Sequence, residues 1–498
     1  MAAFDIVPKS RRILLLAVVL LLCGWWTVSR DWAGLGESSE GLGKFGLGEK
    51  TAQGVNAPGE AVHKPAPETS QEEAASTAQE KDNSKDAKET QAEAPSRHGA
   101  LSKPGSTTKW TFEAPRDRND YSLTDHQCTA AFPDLYYEID RSASYWDKHL
   151  NGAKIEASNI ELDWSWDGGL QCLIYNNQLY ITFSRGLNHF QHWEERSKAT
   201  LHQINRAIVT SREPIPNIEF TIKINDQIGL SDKVRERPEY SNKTLWAFSR
   251  NIYDRTMDQV WLIPDFNFWS YPRVAGSFAD FQHTALQIGS DFEAKKSLLV
   301  WRGTTAFNTA IREPLLNRTA GYPWSDVHRV DEDSSDADFA RLRITMPDHC
   351  RYKFAVHTEG TTWSGRLKYL LSCHSAIFIH PLSWHTHLYH LLAPDGEKQN
   401  YVPVQADWAD LPGKMDELLA VPEKARLIAD NAAATFRDRY LTPAAQTCYW
   451  RRLFKRWADV AWTPDPFNRT ATEIDGYEKV RGMTFEEYVF WDKNVPDR

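Results

Sequence analysis

Ser297-Leu298-Leu299-Val300-Trp301-Arg302-Gly303-Thr304-Thr305 reads as a strand that runs straight into a polar, glycine-containing loop. Its apolar residues are contiguous rather than spaced for a helix, which suits a strand covered on both faces. Ile218-Glu219-Phe220-Thr221-Ile222-Lys223-Ile224 is a second such strand, launched by Pro216 and ended by Asn225-Asp226. Ser375-Ala376-Ile377-Phe378-Ile379 is a third, following a helix over 364–371. Residues 177–183 alternate as a strand after a turn at Asn176-Asn177. Over 192–210, Trp193, Leu201, Ile204 and Ile208 are spaced for a helix, and helices dominate 414–419, 423–440 and 443–462. Alternating strands and helices predict an α/β fold with open, mostly parallel sheets. Ligands of such sheets gather beyond the carboxyl ends of strands, where Asp226 and Arg302 stand.

Glu359-Gly360-Thr361-Thr362-Trp363-Ser364-Gly365-Arg366-Leu367-Lys368 places glycines and small hydroxyl residues at the start of a helix. Free N–H groups and the positive helix end favour an anion there, and Arg366 and Lys368 add charge suited to a phosphate. The same residues also read as an ordinary capped helix with a solvated basic face. Asp331-Glu332-Asp333 and Asp336-Ala337-Asp338 match an Asp-x-Asp metal pattern, but no strand leads into this acidic run, which reads as a solvated loop. No metal site is predicted.

At the amino end, Lys9, Arg11 and Arg12 precede an uncharged apolar run over 13–28 that closes at Ser29-Arg30. As a helix, about 16 residues rise roughly 24 Å. That is short for a bilayer core of about 30 Å, with Trp25 and Trp26 at the interface. The basic flank keeps 1–12 cytosolic and sends the rest across, as a type II signal anchor does. A cleaved signal peptide is the competing reading, yet Trp25-Trp26 stands where a small-residue cleavage site belongs. So short a span suits the thinner membranes of the Golgi apparatus or endoplasmic reticulum. Residues 29–108, poor in large apolar side chains over 64–96, read as a disordered stem. The globular part begins near Trp110.

The 498 residues leave room for two ordinary domains, and a formal net charge of −9 argues against nucleic acid as a partner. Six cysteines are too few for a disulfide-built scaffold. With Cys23 in the apolar run, Cys128, Cys172, Cys350, Cys373 and Cys448 form an odd set, so at least one thiol is free or pairs with another chain. Asn242, Asn317 and Asn468 head Asn-x-Thr sequons, N-glycosylation acceptors if the domain is lumenal.

Cys350-Arg351-Tyr352-Lys353-Phe354, continued by Trp363-Ser364-Gly365-Arg366-Leu367-Lys368-Tyr369-Leu370-Leu371-Ser372-Cys373-His374-Ser375, resembles the family 90 glycosyltransferases. These include fungal capsule-associated xylosyltransferases and animal protein O-glucosyltransferases. Further segments look like the same family in the same order. They are Ile215-Pro216-Asn217-Ile218-Glu219-Phe220 with Asp226, Pro264-Asp265-Phe266-Asn267-Phe268-Trp269-Ser270-Tyr271-Pro272, and Trp301-Arg302-Gly303-Thr304-Thr305 with Arg312-Glu313-Pro314-Leu315. Tyr389-His390-Leu391-Leu392-Ala393-Pro394, Tyr401-Val402-Pro403-Val404 and Cys448-Tyr449-Trp450 follow, so the resemblance covers about 173–462.

The resemblance implies a GT-B architecture of two Rossmann-like halves facing a cleft: 109–290 on the acceptor side, 291–462 holding the nucleotide-sugar, and 463–498 as an extension. It implies inversion at the anomeric carbon, no metal, and no cofactor beyond a UDP-sugar co-substrate. The sugar would be xylose or glucose, and the acceptor a hydroxyl of a glycan or glycoprotein. A short anchor, polar stem and lumenal domain is the plan of many Golgi glycosyltransferases.

Arg302, Gly303, Thr304, Ser364, Gly365 and Arg366 match family positions around the nucleotide and phosphates, and Glu359 is a candidate acceptor for the ribose hydroxyls. Trp269, with Phe268 and Tyr271, is a candidate lining of the sugar pocket, core packing being the plainer reading. Family members often carry an Arg where Thr305 stands. The animal relatives draw a catalytic base Asp from a segment corresponding roughly to 180–195, which here holds no Asp. His189, His192, Glu194 and Glu195 are the substitutes there, and Asp226 is the other candidate base, unless it merely caps its strand. Cys350 and Cys373 correspond to a paired couple in the animal enzymes, which implies a disulfide; Cys448 is left to reach Cys128 or Cys172. Two rival readings remain. One is an inactive glycan-binding member, motivated by Thr305 and the missing Asp. The other is a glycoside hydrolase, which would have no use for the loop at 364–366.

Overall fold

The computed structural model describes residues 110–491, apart from 166–167, 189, 273 and 332–335. The expected tail, anchor and stem lie outside these residues, and no described helix is long and apolar enough to cross a membrane.

The N-terminal half is built on β1 (Gly169–Tyr175), β2 (Gln178–Arg185), β3 (Ile218–Lys223), β4 (Leu245–Ala247) and β5 (Val260–Leu262), in the order β2-β1-β3-β4-β5. β1 runs antiparallel to both β2 and β3, while β3, β4 and β5 are parallel. The sheet is therefore mixed, not the mostly parallel one expected. The cause is local. Asn176 and Asn177 both take positive φ (51° and 59°), the conformation of a two-residue hairpin turn, and such a turn can only join antiparallel strands.

The C-terminal half carries β6 (Lys296–Gly303), β7 (Ser325–Arg329), β8 (Tyr352–His357), β9 (Ala376–Ile379) and β10 (Val402–Pro403), ordered β7-β6-β8-β9-β10 and parallel throughout. Its apolar runs are continuous because both faces are covered. Leu299, Trp301, Phe354, Val356 and Phe378 belong to one core cluster, and Val300, Ala355, Ile377 and Ile379 to another.

Helices used below include α1 (Tyr137–His149), α2 (Gln191–Val209), α3 (Arg366–Leu371) and α4 (Pro443–Val460). α4 starts sharply, with the Thr442 hydroxyl accepting the Ala445 N–H and Pro443 at the first helical position. It packs mainly on the N-terminal half, while Gln446 and Tyr449 also meet His387 of the C-terminal half. Its buried face, Tyr449, Trp450, Phe454 and Trp457, meets the aromatic floor of the N-terminal sheet, Trp246 and Trp261. The Tyr449 hydroxyl donates to Leu262 O (2.7 Å) and Trp457 Nε1 to Glu219 O (3.0 Å). The C-terminal extension joins the same half through the short strand Met483–Thr484, which pairs with β2. The helix expected over 423–440 begins at Pro422 and widens to a π-helix over Ala433–Tyr440.

Cys350 is bonded to Cys373, and Cys128 to Cys448; Cys172, in β1, is a buried thiol. Asn242 and Asn317 are exposed and Asn468 half-buried.

Candidate active site

β6 and β8 are neighbours and parallel, so their carboxyl ends deliver two loops side by side, one holding Arg302–Thr305 and the other Glu359–Ser364. Two guanidinium groups converge on these loops. Arg312, from the helix Thr309–Thr319, donates Nη1–H to Thr304 O (2.9 Å) and Nε–H to Glu359 O (3.1 Å). Arg366, at the start of α3, donates to the carbonyl of Arg302. Neither meets a carboxylate in an ion pair among the described residues. Burial lowers both to about 10, with the Arg366 charge adding to the effect on Arg312. His357 lies fully buried nearby and is held neutral by burial, by His380 and by the two arginines. Desolvated cations satisfied only by carbonyl oxygens are costly, and a bound anion would relieve that cost.

Arg302 is placed differently from expectation. Its guanidinium turns to the sheet edge, where Nη2 meets Asp326 Oδ1 (2.7 Å), Nη1 donates to Asp326 O and Trp301 O, and Nε to Leu342 O (2.6 Å). What Arg302 offers the loop is its carbonyl. Arg312 reaches the loop instead; it lies in a quoted motif, but nothing in its local pattern marks it as facing this site. Gly303 is required by packing: a Cβ there would come within 2.8 Å of the Trp301 indole. The Thr304 hydroxyl accepts the Ala306 N–H. The Ser364 hydroxyl is half-buried and makes no hydrogen bond among the described residues, and Thr362 Oγ1 is buried without a partner.

Glu359 follows β8. Its Oε1 accepts the N–H groups of Ser383 (2.9 Å) and Trp384 (2.7 Å), and burial still raises its pKa to about 7. Oε2 accepts no hydrogen bond among the described residues.

On the other half, Asp226 stands three residues past β3 and pairs with Arg196 of α2 (3.0 Å), its side chain 46% exposed. The Arg196 guanidinium lies 4.6 Å from the Phe266 ring and 5.7 Å from that of Tyr271. Glu194 is bridged to Lys198 on the helix surface (2.5 Å), while Glu195 is half-buried. His192 packs near Phe190 and Trp193, and His189 lies outside the described residues. Trp269 stacks on His202 (4.7 Å) with the Arg206 guanidinium 4.6 Å from its ring, so it is used against α2. Phe268 is buried against Phe278 and His387.

The two halves touch where these loops meet. Asp265, after β5, holds Lys368 of α3, and Asn267 lies so close to Gly365 that a Cβ there would come within 2.9 Å of its Nδ2. Asp265, Arg196 and Arg312 were not foreseen as site residues; each has a partner well outside its own segment, namely Lys368, Asp226 and Glu359. Among the described residues no group of three or more His, Cys, Asp or Glu is placed to hold a metal ion. Arg329 pairs with Asp331 and Arg341 with Asp338, while Glu332 and Asp333 lie outside the described residues.

Comparison with known proteins finds distant relatives. The "O-glucosyltransferase rumi homolog" of Anopheles gambiae is 27% identical over 213 residues, 39% of this chain and 52% of that relative. "Protein O-glucosyltransferase 1" of Rattus norvegicus is 24% identical over 262 residues, 49% of this chain and 63% of the relative. The human protein of the same name is 23% identical over 284 residues, 53% and 67%. The matches thus span somewhat more than half the length of these relatives. The model of "Glycosyl transferase family 90" matches residues 130–480, most of the described structure, and the chain belongs to that family.

Proposed function

We propose that this chain is an inverting glycosyltransferase of GT-B architecture, moving glucose or xylose from a UDP-sugar to a hydroxyl of a glycan or glycoprotein. The observation that carries the reading is the pair Arg312 and Arg366, desolvated and without an ion pair among the described residues, at the carboxyl ends of adjacent parallel strands. As the acceptor oxygen attacks the anomeric carbon, the bond to the diphosphate breaks and negative charge grows on the departing UDP. Preorganised guanidinium groups stabilise that charge, the task a divalent cation performs elsewhere. Glu359 Oε2 takes a ribose hydroxyl, and Ser364 and Thr304 line the phosphates. The carbonyl of Arg302 orients Arg366.

The acceptor's proton passes to a base on the N-terminal half, for which Asp226 is better placed than Glu194, already bridged to Lys198. The protein works on the lumenal side of a Golgi or endoplasmic reticulum membrane, held by residues 13–28.

A panel of UDP-sugars, scored by UDP release with and without acceptor and in EDTA, tests the reading. Transfer from one sugar that persists in EDTA supports it, and the absence of release from every donor sinks it. A second reading, a glycan-binding member without transfer, draws on the Arg196–Asp226 pair, which already occupies the candidate base. Retained UDP and glycan binding with no release would favour that reading.

A further inference from the structure

Lys368 lies two residues after Arg366, and its ammonium donates to both carboxylate oxygens of Asp265 (2.8 Å each) and to the carbonyl of Gly365 (3.1 Å). An ammonium has three N–H donors, so all are committed. Asp265 Oδ1 also accepts the Asn267 N–H (2.9 Å) and Nδ2–H (2.8 Å). The two side chains are 6% and 5% exposed and line a small cavity with Ser364, Trp363, Leu388 and Tyr389. Each is already engaged by the other, which leaves Lys368 no spare N–H for a phosphate and makes Asp265 a poor base. A buried ion pair is also a poor source of stability, since apolar groups of similar volume often do as well.

What the pair does have is position. On one side Asp265 leads into Phe266, beneath the guanidinium of Arg196, which holds Asp226. On the other, Lys368 grips the Gly365 carbonyl, next to Arg366. A continuous run of contacts therefore joins the candidate base to the donor loop across the two halves.

We propose that Asp265 and Lys368 are positioning residues that fix the acceptor-side carboxylate relative to the donor loop. The inference rests on the donor and acceptor roles assigned above. The halves have other ties, namely the pairing of Trp384 and His385 with Asn251 and Arg250 and the packing of α4, so removing the pair leaves the fold assembled.

The test is the double variant Asp265→Asn/Lys368→Met, which nearly keeps volume, removes both charges and leaves an acceptor for the Asn267 N–H groups. Its melting temperature and its affinity for UDP stay close to wild type, while kcat falls about 100-fold, the scale of a misplacement near 1 Å. A folded double variant with wild-type kcat overturns the inference, as does a double variant that fails to fold, because the pair would then be a stability element. Hydrogen exchange supplies a readout free of turnover. UDP slows exchange over 265–271 in the wild type and not in the double variant, whereas equal slowing in both counts against the proposal. A wild type that binds no UDP defeats the functional reading, and this inference with it; UDP binding with unchanged coupling defeats the inference alone.

Discussion

The carboxylates of the N-terminal half and two strand-end arginines of the C-terminal half have their charge met in different ways. In the N-terminal half, Glu219 receives Arg481 through both oxygens (3.0 and 2.7 Å), Glu138 is shared by Arg141 and Arg250, and Asp226 meets Arg196. At the strand ends of the C-terminal half, Arg312 and Arg366 donate to carbonyl oxygens and form no ion pair among the described residues. The first set is neutralised by arginines. The second stays positive, and it differs from Arg451 of α4, which is also bonded to carbonyls and lowered by burial to about 10, in standing at the carboxyl ends of parallel strands.

That contrast is tested hardest at Arg366. Arg366→Met is expected to lower kcat/KM for the UDP-sugar about 1000-fold, since a preorganised cation at the leaving group is lost. Thermal melting should stay level or rise, because no partner is left uncompensated; a clear drop in melting temperature would mean the charge is structural. Glu138→Ala is the counterpart in the N-terminal half. It strands two buried arginines and is expected to cost about 3–5 kcal/mol, read by urea unfolding, with little change in KM for the donor in protein that remains folded. Arg312→Met should fall between, with UDP affinity down about tenfold to a hundredfold in calorimetry.

A smaller effect concerns pH. The Glu359 carboxyl titrates at about 7 in the fold, against an ordinary value of 4.5, because burial opposes its charge. The unfolded chain therefore releases this proton first, and the group's contribution to stability falls as pH rises between those values. Ribose hydroxyls favour the ionised form, so UDP affinity should rise severalfold from below to above that pH. Glu359→Gln should flatten the profile. The smallest change is expected for Trp269→Phe. Its ring faces His202 and Arg206, so kcat should stay within about twofold, and a large loss would put Trp269 in the sugar pocket.

Much of the C-terminal half is legible locally. The runs at 297–301 and 375–379 are buried on both faces and become β6 and β9, and the glycine loop before α3 lies beside the end of β6 as strand–helix alternation demands. The N-terminal half is harder. β4 and β5 are three residues each, too short for a periodic signal, and the antiparallel direction of β1 follows from two asparagines at positive φ. Side-chain direction is less legible still. Arg302 and Arg312 share one motif region, yet Asp326 takes the first while the carbonyls of Thr304 and Glu359 take the second, and neither Asp326 nor Glu359 lies in that motif. The same holds for Asp265 and Lys368, separated by 103 positions.

α4 has a further consequence, for the order of synthesis. Residues 110–290 leave the ribosome first, yet their aromatic floor stays uncovered until residues 443–460 have been made, and Cys128 must wait for Cys448. The earliest part of the domain to be synthesised is thus among the last to be completed. A growing chain would show exposed tryptophan and an unpaired thiol for most of its translation, a state that calls for chaperones and makes nascent chains stopped before residue 443 marked targets for degradation.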